Sequence, residues 1–310
     1  FVTGGGSGIG ASIVEHFCEQ NSEVYFVDIN LEESNKLVSN IKNKNFKVPT
    51  FFECDLLNIK QLQSTISKII SEKGPINILI NNAANDERHA IDDVTEEYWN
   101  DRMNINLRHY FFTVQSVKKA MVENKSGAIV NIGSASWMVG QGGMAAYTAA
   151  KSGVVGLTRS FARDLGEFNI RVNSVVPGWT MTERQVQKWL TPESEKDLMK
   201  NQCLKRKLMP SDIAKAVLFF SSSSLPSFPL KRTASITILA RIFSFPNSTA
   251  ASIIDVFPSS SGTAPGTGTG RLLSPTRGLV WVSFSIRSFL TQRKLSLSEA
   301  RPFKKAVSDS

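Results

Sequence analysis

The stretch "FVTGGGSGIGASIVEHFCEQNSEVYFVDIN" (residues 1–30) decides the fold. Phe1–Val2 read as the end of a strand, "GGGSGIG" as a glycine-rich turn, and "IGASIVEHFCEQ" as a helix. "VYFVDI" (24–29) then reads as a second strand, closed by Asp28. Gly4, Gly8 and Gly10 stand in the order T-G-x-x-x-G-x-G. A backbone without side chains lets a pyrophosphate approach closely, and the following helix N-terminus offers N–H donors and a positive dipole end. A plain tight turn is the competing reading of the loop. Asp28 follows at the usual distance of about 20 residues, where a carboxylate can bind two ribose hydroxyls and repel a 2′-phosphate. Neither Ser7 nor Ile29 offers that phosphate a cation, so NAD is favoured over NADP.

The alternation continues to about Phe220. "TFFECD" (50–55), "INILINN" (76–82), "AIVNIGS" (128–134) and "IRVNSVVPG" (170–178) read as strands. Ile59–Ile70 and Met144–Leu165 carry apolar residues at helical spacing. Such a pattern predicts an α/β fold, a Rossmann-type doubly wound parallel sheet with helices on both faces. From Ser221 the character changes. Residues 221–310 hold 20 Ser, seven of the twelve Pro, and 11 Lys/Arg against 3 Asp/Glu, so the net charge of +9 lies almost wholly there. "SSSGTAPGTGTG" (259–270) reads as a flexible linker. "ITILARIFSF" (236–245) and "GLVWVSFSI" (278–286) could be strands but show no evident partner. The chain therefore divides into a domain at 1–220 and a low-complexity basic tail at 221–310, expected to be disordered or artefactual.

Composition excludes several classes. At 41% hydrophobic and 20% charged the chain reads as soluble, with no run of about 18 apolar residues to span a membrane. Cys18, Cys54 and Cys203 are widely spaced and form no CxxC pair, which argues for reduced thiols, a cytoplasmic location and no metal site. Scattered arginines without aromatic platforms argue against specific nucleic-acid binding. The chain opens on Phe1 with no leader, as a piece missing its true start would.

In "SASWMVGQGGMAAYTAAK" (134–151) Tyr147 and Lys151 are four apart, so on a helix they share a face. A phenol titrates near about 10 and is a poor base at neutral pH. A neighbouring ammonium, together with the positive ring of an oxidised nicotinamide, favours the phenolate; lowering it by two to three units asks roughly 3–4 kcal/mol of those charges.

The order of these motifs resembles the short-chain dehydrogenase/reductase family. The residues that carry the resemblance are "TGGGSGIG", Asp28, Asp55 in "ECDL", "NNAA" (81–84), Asn106 in "MNINL", Ser134 thirteen residues before Tyr147, Lys151, and "PGWTMT" (177–182). Ala84 stands where that family usually has Gly. The resemblance covers 1 to about 220. It implies a catalytic set of Asn106, Ser134, Tyr147 and Lys151. Tyr147 would take the substrate's hydroxyl proton while Ser134 bonds the same oxygen. Lys151 would grip the nicotinamide ribose, and Asn106 would hold a relay water. It implies a cofactor groove of Thr3, Gly4, Ser7, Gly8, Ile9, Gly10, Asp28, Asp55, Leu56, Asn82, Ala83, Ala84, Tyr147, Lys151, Pro177, Gly178, Thr180 and Thr182. Of these, Asp55 would lie beside the adenine and Thr182 at the nicotinamide amide.

Three stretches, 81–112, 135–137 and 184–204, look like the branch that oxidises aldose sugars at carbon 1 to lactones. Asn85, Asp86, Arg88 and His89 could supply donors and acceptors to a sugar, and Trp137 or Trp179 could pack on its apolar face. Asn85, Ser134, Trp137 and Gln141 are the candidate substrate contacts, while His89 reads as structural. The alternative for the polar set is a loop cap or a subunit contact. The expected partners are a small sugar or alcohol and, if the fold is intact, further copies of the chain. The family's seventh strand ends in Asp-Gly-Gly after the helix matching "SDIAKAVLFF" (211–220), and nothing beyond Ser221 matches it. The sheet is therefore expected to lack that strand, through a frameshift or a misjoined exon. Two other functions stay open: a dehydrogenase of a non-sugar ketone or secondary alcohol, and an inactive product with no enzymatic role.

Overall fold

A computed structural model describes residues 1–222 together with two further strands, Ile236–Ala240 and Ile253–Val256. The apolar runs form β1 (Val2–Thr3), β2 (Tyr25–Asp28), β3 (Thr50–Glu53), β4 (Ile78–Asn81), β5 (Gly127–Ile132) and β6 (Ile170–Pro177). The helices are α1 (Gly8–Glu19), α2 (Leu31–Asn43), α3 (Ile59–Lys73), α4 (Glu96–Met103), α5 (His109–Glu123), α6 (Ala145–Leu165), α7 (Glu183–Trp189), α8 (Pro192–Asn201) and α9 (Pro210–Ser221). A π-helical turn, Asn104–Arg108, joins α4 to α5.

Side chains alternate across each strand, so each strand feeds two cores. Phe26, Ile80, Val130 and Ile132 face one layer with Ile13 and Phe17 of α1, Ile41 of α2, and Val217 and Phe220 of α9. Tyr25, Val27, Leu79 and Ile129 face the other with Leu62 and Ile66 of α3, Val117 and Met121 of α5, and Leu165 of α6. Both sheet faces are covered, which is why the strands are near-continuous apolar runs. Helix starts follow their caps: Asn30 accepts from Glu33 N, Asn58 from Gln61 N and Thr95 from Tyr98 N.

The strand order is β3-β2-β1-β4-β5-β6, parallel throughout. The order reverses at β1, whose neighbours are β2 and β4, and the crevice beyond the carboxyl ends of these strands is where such sheets bind ligands.

One expectation is corrected at the sheet's edge. β7 (Ile236–Ala240) pairs parallel with β6, Ser174 opposite Thr237 and Pro177 opposite Ala240, and β8 (Ile253–Val256) runs antiparallel beyond it. The seat expected to be missing its strand is thus filled by part of "ITILARIFSF". The physical reason is that β6 presents a row of unpaired N–H and C=O groups on that side, and a β-branched run such as Ile236–Ile238 can satisfy them. "GLVWVSFSI" and "SSSGTAPGTGTG" lie outside the described residues.

Candidate active site

The loop after β1 is shaped for close approach. Gly4 has φ +63°, and a Cβ there would stand 2.8 Å from Ala83 Cα; one on Gly10 would overlap the Gly4 carbonyl oxygen. Ser7 makes no side-chain cap on α1, and no acidic residue stands in the helix's first turn. Its positive end is therefore left for an anion. These features fit the pyrophosphate of a dinucleotide.

The walls of the crevice are tied to this loop. Thr3, fully buried, accepts through Oγ1 from Asn82 N (3.0 Å) and Ala83 N (3.2 Å). The Asn82 amide donates to the Thr3 and Gly4 carbonyls at 3.1 and 2.9 Å, so it fixes the glycine loop. Asp28 accepts from Gly6 N and Asn30 N. A carboxylate carries about four acceptor sites, so two remain for a ribose. Asp55 starts an Asx turn by accepting from Leu57 N at 2.9 Å, with Leu56 buried beside it. Pro177 ends β6, its carbonyl bonded to Ala135 N, and Gly178, Thr180 and Thr182 follow. Thr182 caps α7, and its methyl stands 3.1 Å from where a Gly8 Cβ would lie, which closes the groove over the loop.

The expected catalytic residues Tyr147 and Lys151 sit on α6. They share one face of it, with Lys151 Nζ 5.7 Å from the Tyr147 ring centre. Ser134, just past β5, donates to Ser136 Oγ (3.1 Å) and accepts from Ser136 N (3.2 Å), and it stands close enough to Tyr147 to draw its phenol down. Lys151 is buried; its Nζ donates to Tyr110 Oη and to the Ile132 carbonyl, both at 2.9 Å. Burial pushes the amine down to about 7, with Asp86 acting the other way. Burial also pushes the Tyr147 phenol up to about 12; Ser134 and Arg88 pull it down, and Asp86 raises it further. The expected lowering of this phenol is therefore not produced by the chain's own groups. Desolvation outweighs the neighbouring charges, and the ammonium is bonded towards Tyr110.

Asn106 lies in the π-helical turn. Its Oδ1 accepts from Asn85 N at 2.8 Å, and its Nδ2 donates to the carbonyls of Asn85 and Arg102. Its side chain therefore anchors the loop after β4. That loop carries Asp86 and Arg88 towards Tyr147 and His89 to the start of α6. There Ala146 N donates to His89 Nε2 at 3.4 Å, and Nδ1 faces Tyr98 Oη at 3.0 Å. The same loop holds α7: Arg184 pairs with Asp86 (3.3 Å) and Glu87 (3.1 Å), Gln185 donates to Asp86 (2.6 Å), and the Arg88 guanidinium lies 4.8 Å from the Trp189 ring.

Trp137 and Gln141 are placed differently from the other candidates. They line an open cavity of about 420 Å³ with His89, Met144, Thr148 and Ser152. Residues 145, 148, 149 and 152 lie on a different face of α6 from Tyr147 and Lys151. Neither Tyr147 nor Lys151 lines that cavity. Trp179 instead donates to Gln185 Oε1 at 2.8 Å, beneath α7.

Sequence reasoning did not find Tyr110, Arg184 or Gln185. Tyr110 carried one usable signal: it lies four residues after Asn106 on a continuous helical stretch, so both face the site. Nothing at the sequence level links Arg184 to Asp86.

Among the described residues no group of His, Cys, Asp and Glu could hold a metal ion, and no helix is long and apolar enough to cross a membrane. A glycine-lined crevice at the reversal point of a parallel sheet fits a dinucleotide, and the chain is an oxidoreductase that acts on CH–OH groups with a nicotinamide cofactor. A family model, short chain dehydrogenase, matches residues 1–193, and the chain belongs to that family. Within it the chain is 42% identical to D-xylose 1-dehydrogenase of Caulobacter vibrioides over 221 residues, 71% of this chain and 87% of that one. It is also 42% identical to a probable galactose dehydrogenase of Rhizobium meliloti over 223 residues, 72% of this chain and 87% of that one. Among solved structures it is similar to gluconate 5-dehydrogenase of Burkholderia cenocepacia in complex with NADP and tartrate. The TM-score there is 0.66 and the identity 26%, over 71% of this chain and 86% of that one.

Proposed function

We propose that this chain oxidises an aldose at carbon 1, passing hydride to NAD and releasing the lactone. The observation that supports it most is the joining of the Ser134–Tyr147–Lys151 cluster to a loop rich in donors and acceptors, Asn85 to Arg88, within a chain whose relatives include named sugar dehydrogenases. All these groups come from residues 1–220, which we take as the catalytic unit.

The nicotinamide ring supplies the acceptor for the hydride. Tyr147 takes the carbon-1 hydroxyl proton as the C1–H pair leaves, and Ser134 donates to the same oxygen so that it keeps its distance. Lys151 has three N–H donors, two of them used on Tyr110 and Ile132. The third is left for the ribose, and the amine's charge acts on the phenol through space. Asp86 and Arg88 reach the sugar's remaining hydroxyls, while Asn106 keeps their loop in place. The Asp28 carboxylate selects a free 2′-hydroxyl and so NAD. A negative group there would stand against a 2′-phosphate.

The test is initial-rate NAD reduction at 340 nm with a panel of aldoses beside simple secondary alcohols, repeated with NADP, and with lactone trapped as its hydroxamate. Turnover of one or more aldoses with NAD and lactone formation is expected. Turnover of the alcohols alone would overturn the sugar reading, and a preference for NADP would overturn the role of Asp28.

A further inference from the structure

We propose that Tyr110 is a positioning residue for Lys151, a second phenol that fixes the direction of the ammonium. The inference rests on the reading that Lys151 and Tyr147 act together in hydride transfer.

Tyr110 stands on the first turn of α5, fully buried. Its hydroxyl donates to the Ile132 carbonyl at 2.8 Å and accepts from Lys151 Nζ at 2.9 Å; Lys151 also donates to that carbonyl at 2.9 Å. Amine, phenol and carbonyl thus form a closed triangle between α5, α6 and the end of β5. A lysine is a flexible stem with rotatable donors, and holding two of its three N–H groups leaves the last with one direction.

The surrounding charges agree with this role. Burial, and then the Tyr147 charge, pushes the Tyr110 phenol far above its ordinary range, so it stays an O–H donor to Ile132 and offers only lone pairs to the amine. His109 packs on Tyr110, ring centres 4.5 Å apart, and burial followed by the Lys151 charge holds it down to about 3. It is neutral and does not repel the ammonium. Asp86, on the loop after β4, is the anionic group that favours the charged amine, and Tyr147 faces it from α6 itself. Removing the Tyr110 oxygen takes away a neutral acceptor that no neighbour replaces.

The experiment compares wild type, Tyr110→Phe and Tyr147→Phe over pH 6–10, with kcat, KM and NADH binding measured for each. Phenylalanine fills the same space, so Tyr110→Phe should bind NADH and melt close to wild type. Its kcat should fall about tenfold or more, the scale of a hydrogen bond to a charged group. The limb of its kcat–pH profile that reports the base should move to higher pH: the Tyr110 oxygen accepts from Lys151 Nζ and so favours the charged amine, and with less of that amine charged the Tyr147 phenolate is favoured less. KM for the sugar should change little. A folded Tyr110→Phe enzyme with wild-type kcat and an unshifted profile overturns the proposal. If that variant does not fold, 3-fluorotyrosine at position 110 gives the same readout: a shifted profile supports the role, and an unshifted one overturns it. Turnover of Tyr147→Phe within a few fold of wild type would instead overturn the reading of the reaction, whatever Tyr110 does.

Discussion

Asp28 closes on the glycine loop: its Oδ2 accepts the Gly6 N–H at 2.8 Å while its Oδ1 accepts the Asn30 N–H at 2.9 Å. One carboxylate therefore both shapes the loop after β1 and faces the place where an adenosine ribose would lie. A Cβ on Gly6 would lie 3.0 Å from Asp28 Oδ2 and overlap Ser34 Oγ, so no side chain fits between them.

Replacing Asp28 by Ser should weaken NADH binding roughly tenfold, the scale of a lost charge-assisted hydrogen bond. NADPH binding should be unchanged or tighter, since the repelling charge is gone. Fluorescence titration of both nucleotides checks this. An unaltered NADH-to-NADPH ratio would contradict the role assigned to Asp28.

Arg184 holds α7 over the cleft through Asp86 and Glu87. These groups are partly exposed, and such pairs contribute about 0–1 kcal/mol, so Arg184→Ala should leave the melting temperature nearly unchanged. KM for the sugar should rise severalfold, because α7 and the Asp86 loop lose a shared tether. Parallel melting curves and saturation kinetics distinguish these effects. A large drop in melting temperature with unchanged KM would show that the contact only supports folding.

Lys151 makes stability depend on pH in a direction that can be worked out. Its amine gives up a proton near about 7 when folded and near 10.5 when unfolded. Between those values the unfolded chain binds more protons, so stability rises with pH, and below about 7 the penalty of a buried charge is at its greatest. Relative to Lys151→Met, the wild type should gain roughly 1–3 kcal/mol between pH 6.5 and pH 9.5. Urea denaturation of both proteins at the two pH values measures it. A difference that stays constant with pH would contradict the burial argument.

Much of the domain could be read from residue pattern alone, because the strands are covered on both faces. "INILINN" and "AIVNIGS" are apolar runs too short for helices, and they became β4 and β5 within two residues of their expected ends. The glycine loop was legible since only glycine permits the approach of Gly10 to the Gly4 carbonyl. The edge of the sheet was not. Whether Ile236–Ala240 pairs with β6 depends on an open neighbour far away in sequence. The site shows the same division. Tyr147 and Lys151 are neighbours through helical spacing, whereas Lys151 and Tyr110 are 41 residues apart and meet only because α5 and α6 pack on one face of β5. Side-chain duties were also hidden: Asn82 and Asn106 are spent on backbone groups of the loops they hold, and Trp137 turns to another face of α6. The height of the Tyr147 phenol depends on burial, which spacing does not report.

The most direct measurement is the turnover of Tyr147→Phe with an accepted aldose and NAD, beside its NADH affinity. The loss of one oxygen atom should leave the nucleotide bound about as tightly as before and lower kcat by 10²-fold or more, the range of general acid–base catalysis. Turnover within a few fold of wild type in a variant that still binds NADH would contradict the assignment of that oxygen as the proton acceptor, and with it the account of this site.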